Sequence, residues 1–320
     1  MHGLKVKIRS NMKDCTPKEV YAFDIFLKSL ASNSSYGITP NMEAFLIKAM
    51  DNSLSFMSHL LLGYKFQTLT RLSINKRIIG SNKRIYNQKY LKYPPKELVN
   101  RYGRCNLKQQ SILYATFGSL TALSEMKPLR GDLITMSTWE VIDDSSLIIS
   151  PILRQPKDDT FNPRIWEMQK IYEKEFEKYP PNIRKQINLL NEFIADEFTK
   201  PVKPDNDRDY LFSAYFADRI LNKFENGDVE ALYYPSVPSK LSFENLAIKP
   251  KSFDKKYRLI EVKESVIDMD HTAGQGGTMM LGIGEATKFD YETGDIFWND
   301  DVRQPQEQMD FIIKEYGYEL

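Results

Sequence analysis

The chain has 320 residues, 42% of them hydrophobic and 27% charged, which excludes a disordered or collagen-like polymer and gives about two domains' worth of sequence. Lys plus Arg is 44 against 43 for Asp plus Glu; so balanced a charge argues against nucleic-acid binding by this chain, whose footprint would be a basic excess. Two cysteines, Cys15 and Cys105, support neither a disulfide framework nor a Cys-rich zinc site and suit a reducing cytoplasm. No apolar run approaches the ~20 residues of a membrane helix, and no secretory signal is visible at the N-terminus. The three histidines, His2, His59 and His271, are far apart. Neither HExxH, GxxxxGK[ST] nor GxSxG occurs, so metalloprotease, P-loop and serine-hydrolase readings have no support and no metal site is expected.

Residues 1–70 read as a helical unit. Thr16-Pro17-Lys18-Glu19 is a capping box with proline at the first helical position. Val20, Phe23, Phe26 and Leu30 follow on one face, and 41–50 and 54–64 continue the helical pattern. From Arg71 to Arg104, ten basic residues face a single acid, Glu97, which reads either as a solvated surface or as an anion-binding wall. Short strands are expected at 111–116, 133–141 and 147–149, with a helical turn at 121–126 stopped by Pro128. A helical insert at about 160–200 is split by Pro180-Pro181, a further helix covers 210–224, and Asn226-Gly227 ends it. Strands return at 231–234, 245–248 and 257–266. Residues 271–284 hold five of the 15 glycines and read as a mobile loop, and 285–310 carries eight acids against Lys288 and Arg303, an acidic tail. Strands and helices in irregular order define an α+β fold.

The residues able to carry chemistry cluster in 101–125. Gly103 lets the backbone turn and present Arg104. Tyr114 sits in an apolar strand. Glu125 closes Thr121-Ala-Leu-Ser-Glu beside apolar Leu123, where a carboxylate is costly unless bonded or functional. Each also has a plainer reading: Arg104 in a structural ion pair with Glu125 or Asp132, Tyr114 in the core, Asn106 bonding turn backbone, and Cys105 simply buried.

Gly103-Arg104-x-Asn106, Leu113-Tyr114-Ala115, Thr121-Ala122-Leu123-x-Glu125 and Gly131-Asp132-Leu133, followed by Tyr233-Tyr234-Pro235-Ser236 and Asn245-Leu246-Ala247, resemble the RES domain family over about 71–250. The resemblance implies an ADP-ribosyltransferase-like core, a split mixed β-sheet with NAD in its cleft. It implies a domain at 71–250 between a helical extension (1–70) and a C-terminal strand, Gly-rich loop and acidic tail (251–320). The implied activity is that of a toxin of a bacterial toxin–antitoxin pair, cleaving the nicotinamide–ribose bond of NAD by hydrolysis or phosphorolysis. Transfer of ADP-ribose to a protein, or a non-catalytic interaction role on the same fold, remains open. NAD is expected as substrate with no further cofactor, and a helix-turn-helix antitoxin as partner. Matched to the family, Arg104 and Glu125 are the catalytic candidates. Tyr114 and Ser236 are the binding candidates, and Arg77, Arg101, Tyr102 and Asn106 are helpers. The family commonly carries an early apolar-Arg-x-Arg pattern. Here Arg77 is the nearest counterpart, and Asn75 stands at the neighbouring position. Self-inhibition by the 271–284 loop and acidic tail against the basic stretch is the alternative to an antitoxin.

Overall fold

A computed structural model describes residues 14–35, 38–54, 60–154, 162–203, 206–270, 277–299 and 305–317. The chain is α+β, and its contacts group it into two compact units, each built from three segments. Unit 1 comprises Met1–Tyr64, Pro95–Ile112 and Ser146–Lys249, and unit 2 comprises Lys65–Pro94, Leu113–Ser145 and Pro250–Leu320. These groupings cut across the contiguous blocks expected at 1–70, 71–250 and 251–320.

In unit 1 the capping box forms as expected. Glu19 accepts from the Thr16 backbone N at 2.6 Å, and the Glu19 N–H reaches Thr16 Oγ1 at 3.3 Å. These bonds satisfy two of the donors that a helix start leaves open. Helix α1 (Pro17–Ser35) follows, then α2 (Pro40–Ser53), whose N-cap Thr39 accepts from Met42 N. The helical pattern expected at 54–64 is not continued. Residues 55–59 lie outside the described residues, and Leu62–Tyr64 is a strand, β1. It is drawn into antiparallel pairing with β5 (Leu147–Pro151), Leu62 opposite Ile149, so tertiary pairing decides a three-residue segment whose central Gly63 disfavours a helix. β5 runs parallel to β6 (Ala231–Pro235), which pairs antiparallel with β7 (Glu244–Ile248).

The helices between these strands are α5 (Pro163–Phe176), α6 (Pro181–Thr199) and α7 (Leu211–Asp218). α6 buries Ile183, Ile187, Leu190, Ile194 and Phe198 at spacings of three and four, the face its periodicity predicts. Asp14, just ahead of α1, caps α6: its Oδ1 accepts from the backbone N of both Asn182 and Ile183 at 3.1 Å. Cys15 packs on the Phe176–Tyr179–Ile183–Ile187 cluster. The N-terminal extension and the helical insert, separate in the sequence reading, are thus one packed body.

Unit 2 is an antiparallel sheet in the order β3-β2-β4-β8-β9-β10, with β2 at Thr68–Ile74, β3 at Leu113–Thr116, β4 at Leu133–Val141, β8 at Tyr257–Met269, β9 at Met279–Phe289 and β10 at Ile296–Asn299. β4 alternates buried and half-buried residues beyond Thr135, as a strand with one core face must. A short helix, α3 (Asn75–Ile79), continues from β2, and α8 (Pro250–Lys256) sets Phe253 edge-on to Trp139 at 4.8 Å. α4 (Ser119–Met126) packs Ala122, Leu123 and Met126 against Leu72, Ile74, Ile134 and Ile267. The segment expected to be a glycine loop and acidic tail is structural instead. Residues 279–289 form β9, and α9 (Gln306–Tyr316) drops Met309 and Ile312 onto Leu133, Val266 and Ile283. Residues 271–276 of the expected loop, with His271, lie outside the described residues, as do His2 and His59.

Candidate functional site

The basic stretch does not form a free wall. Most of its cations already have structural partners. Lys76 pairs with buried Asp132, Lys92 with Asp254 at 2.9 Å, and Arg77 Nη1 reaches the Met126 carbonyl at the C-terminus of α4 at 3.5 Å. Arg84 and Glu264, both essentially solvent-free, form a buried pair at 2.8 Å. Lys89 lies over Tyr90. The acidic segment does meet this stretch, but as part of the fold: Gln88 N donates to Gly294 O, and Trp298 lies under the Arg84 guanidinium.

In unit 1, Gly103–Asn106 closes a tight turn, Gly103 N donating to Asn106 O and Asn106 N returning to Gly103 O. Asn106 is buried, and its Nδ2 donates to the carbonyls of Arg101 and Leu107, so it holds the turn. Arg104, half-buried, donates Nη1 to the Glu197 and Phe198 carbonyls and Nη2 to Lys200 O. Its guanidinium also lies 5.0 Å from the centre of the Tyr210 ring. A cation on the last carbonyls of α6 is the favoured end of that helix dipole. Of five guanidinium donors, only Nε–H and one Nη2–H are left by these contacts. The structural partner expected for Arg104 was a carboxylate; the observed one is the C-terminus of α6.

Arg101 is exposed. Tyr102 is buried, with its hydroxyl donating to Glu43 Oε1 at 2.6 Å and Lys108 Nζ over its ring. Burial, reinforced by Glu43, holds that phenol well above its usual range. One ring face is therefore already covered. Cys105 is buried and its thiol is pushed up by desolvation, which makes it inert as a nucleophile. Ser236, fully buried, anchors the β6–β7 connection: its N donates to Phe243 O, and its carbonyl accepts from Leu241 N and Ser239 Oγ. Lys240 and Leu241 follow with φ of 52° and 66°, a left-handed pair that side chains other than glycine adopt only where surroundings enforce it.

Unit 2 gathers the others on contiguous elements. Tyr114, half-buried on β3, gives its carbonyl to Arg71 Nη1 at 2.8 Å. Arg71 stands on β2, which pairs with β3 through Thr70 and Thr116. Its guanidinium is pulled down to about 10 by desolvation, opposed by Tyr114. It has no carboxylate partner among the described residues, and its Nε is buried without a hydrogen-bond partner. Glu125 is half-buried near the end of α4, one turn beyond the buried Thr121 and Ala122, and Arg77 reaches the carbonyl that follows it. Glu125 stands in unit 2 and Arg104 in unit 1, where the hydrogen bonds of Arg104 go to the last carbonyls of α6. Arg71 is the residue the sequence reading passed over. Its signal was local: a lone cation between Leu69 and Leu72 in a strand, costly to bury unless something negative meets it.

Among the described residues no group of three or more His, Cys, Asp and Glu side chains is placed to hold a metal ion, and no helix is long and apolar enough to cross a membrane. No family model matches the chain, and a search of curated proteins finds no match.

Proposed function

We propose that the protein is a RES-like enzyme that cleaves the nicotinamide–ribose bond of NAD, with the chemistry centred on unit 2. One observation carries this reading beyond the order of the motifs. A half-buried arginine with no counter-ion among the described residues, a tyrosine and a half-buried carboxylate stand on β2, β3 and α4, elements that follow or pair with one another. An uncompensated cation withdrawn from water favours an anion such as a pyrophosphate, which Arg engages in a planar, bidentate manner.

Cleavage of an N-glycosidic bond passes through an oxocarbenium-like state, positive on the ribose. Glu125 stabilises that charge, which exists only at the transition state and so raises the rate rather than mere binding. The departing nicotinamide is neutral, so no strong general acid is required. Tyr114, half-buried on β3, is favoured to stack on a ring of the substrate over Tyr102, whose ring Lys108 covers. Arg71 takes the phosphate role, with Arg77 as helper. Arg104, Asn106 and Ser236 hold backbone turns of unit 1. An ADP-ribosyltransferase-like fold and a helix-turn-helix antitoxin as partner belong to the same proposal.

Expression in bacteria tests it. The wild-type chain is expected to arrest growth and deplete NAD, and Glu125→Ala to do neither at equal protein level; toxicity undiminished in that variant rejects the assignment. The product separates the possible acceptors: free ADP-ribose marks hydrolysis, ADP-ribose-1″-phosphate phosphorolysis, and label on a protein ADP-ribosyl transfer.

A further inference from the structure

Unit 1 holds a half-open cavity of about 390 Å³ between α5, α6 and the residues that follow β5, within the size range of small-ligand sites. Its floor is apolar, with Leu60, Ile152 and Ile194. The polar wall is ordered by one hydroxyl. Tyr172 on α5 donates to Asn188 Oδ1 at 2.7 Å and accepts from Asn191 Nδ2 at 2.9 Å. Desolvation pushes its phenol up to about 12, and stacking on Phe176 at 4.0 Å fixes its ring. Both oxygen–nitrogen orientations are thereby set. Asn188 keeps its Nδ2 donor and Asn191 keeps its Oδ1 acceptor, three residues apart and so on the same face of α6. Neither atom has another partner among the described residues.

The electrostatics narrow the occupant further. Arg154, the cation lining the cavity, gives Nη2 to the Asp196 carboxylate, which neutralises it, and to the Glu192 carbonyl, while its Nε is buried without a hydrogen-bond partner. Glu173 and Glu192 line the same cavity with no cation paired to either among the described residues. A donor and an acceptor side by side over an apolar floor match the edge of a planar amide or a nucleobase. Two unneutralised carboxylates disfavour a phosphate.

We propose that this cavity is a binding site for an uncharged, nucleobase-like ring, recognised by Asn188 and Asn191, and that it discriminates against the phosphorylated form. The proposal is independent of the NAD-cleaving reading: its residues are separate from Arg71, Tyr114 and Glu125, and its readout is binding alone.

Titration of the purified full chain with adenosine, cytidine and their 5′-monophosphates, followed by ligand-observed NMR and calorimetry, tests it. At least one nucleoside is expected to bind, with its monophosphate weaker by roughly fivefold or more. Asn188→Leu with Asn191→Leu should weaken nucleoside binding by about tenfold or more, whereas Glu125→Ala leaves it unchanged. Should the double leucine variant fail to fold, Tyr172→Phe keeps the ring and removes only the orienting hydroxyl; it too is expected to weaken binding. The proposal is overturned if neither nucleoside binds, if the monophosphate binds as tightly, or if the folded variants bind like the wild type.

Discussion

Replacing Arg84 by Met would leave the Glu264 carboxylate buried in unit 2 without its cation. Both side chains are almost completely shielded, at 2% and 0% exposure, and their contact is 2.8 Å. Glu264 also receives Asn75 Nδ2 at 3.5 Å, and Asn75 in turn accepts from Thr135 Oγ1 at 2.8 Å. The guanidinium sits 4.6 Å from the centre of the Trp298 ring, and a Cβ at Gly284 would come within 2.7 Å of Arg84 Nη2, so the sheet is built around this cation. Removing one partner of such a pair costs about 3–5 kcal/mol, because the remaining charge is stranded. The lost cation–π contact belongs within that figure, at about 0.5–2 kcal/mol. Arg84→Met combined with Glu264→Leu strands nothing and should recover most of the loss, giving a coupling energy of about 2 kcal/mol or more. The assay is urea unfolding followed by tryptophan emission in a Trp166→Phe background, since Trp139 and Trp298 both belong to unit 2. A single variant that loses less than about 1 kcal/mol, or a double variant no better than the single, would refute the view that this pair organises the sheet.

Three further outcomes follow from particular contacts. The Thr16 backbone N–H and hydroxyl, bonded to the Glu19 carboxylate, hold its pKa below the usual 4.5. A lowered folded pKa means a contribution that is present above the usual value and lost as pH falls through the folded one. Amides in the first turn of α1 should therefore exchange faster, relative to intrinsic rates, at pH 3 than at pH 6 in the wild type, and show no such difference in Glu19→Gln. Ile312→Ala opens a cavity under α9 beside Leu133 and Ile283 and should cost about 2–5 kcal/mol in unit 2, read by the same urea titration; a loss under about 1 kcal/mol would mean that α9 is not part of that core. Glu43→Ala leaves the Tyr102 hydroxyl without its acceptor and Arg208 without its counter-charge and should cost about 1–3 kcal/mol, with α2 and the 101–106 turn gaining hydrogen exchange together; protection that changes in only one of them would show that Glu43 does not join them.

The signals that reached the sequence reading were local ones. The Thr16–Glu19 box needs only four residues, and α6 announces itself through the spacing of Ile183, Ile187, Leu190 and Ile194. β4 was legible at its full extent, 133–141, because an apolar run between turn residues has few alternatives. What stayed illegible depended on distant partners. Leu62–Tyr64 is a strand because β5 lies beside it. Residues 271–284 read as a mobile loop because they hold five glycines, whereas 279–284 belong to β9 and Gly284 admits Arg84. The charge excess at 71–104 was legible as a count, but its meaning was not, since Asp132, Asp254 and Glu264 that answer it lie 56 to 180 residues along the chain from Lys76, Lys92 and Arg84. At the candidate site, Glu125 and Tyr114 could be named from their motifs. The role of Arg104 at the end of α6 and the isolation of Arg71 required the fold.

The central claim is tested most directly by incubating the purified chain with NAD and following nicotinamide by NMR. The account predicts steady nicotinamide release, reduced by about a hundredfold or more in Glu125→Ala, with KM raised in Arg71→Ala. Absence of release, or release at the same rate from a folded Glu125→Ala protein, would contradict it.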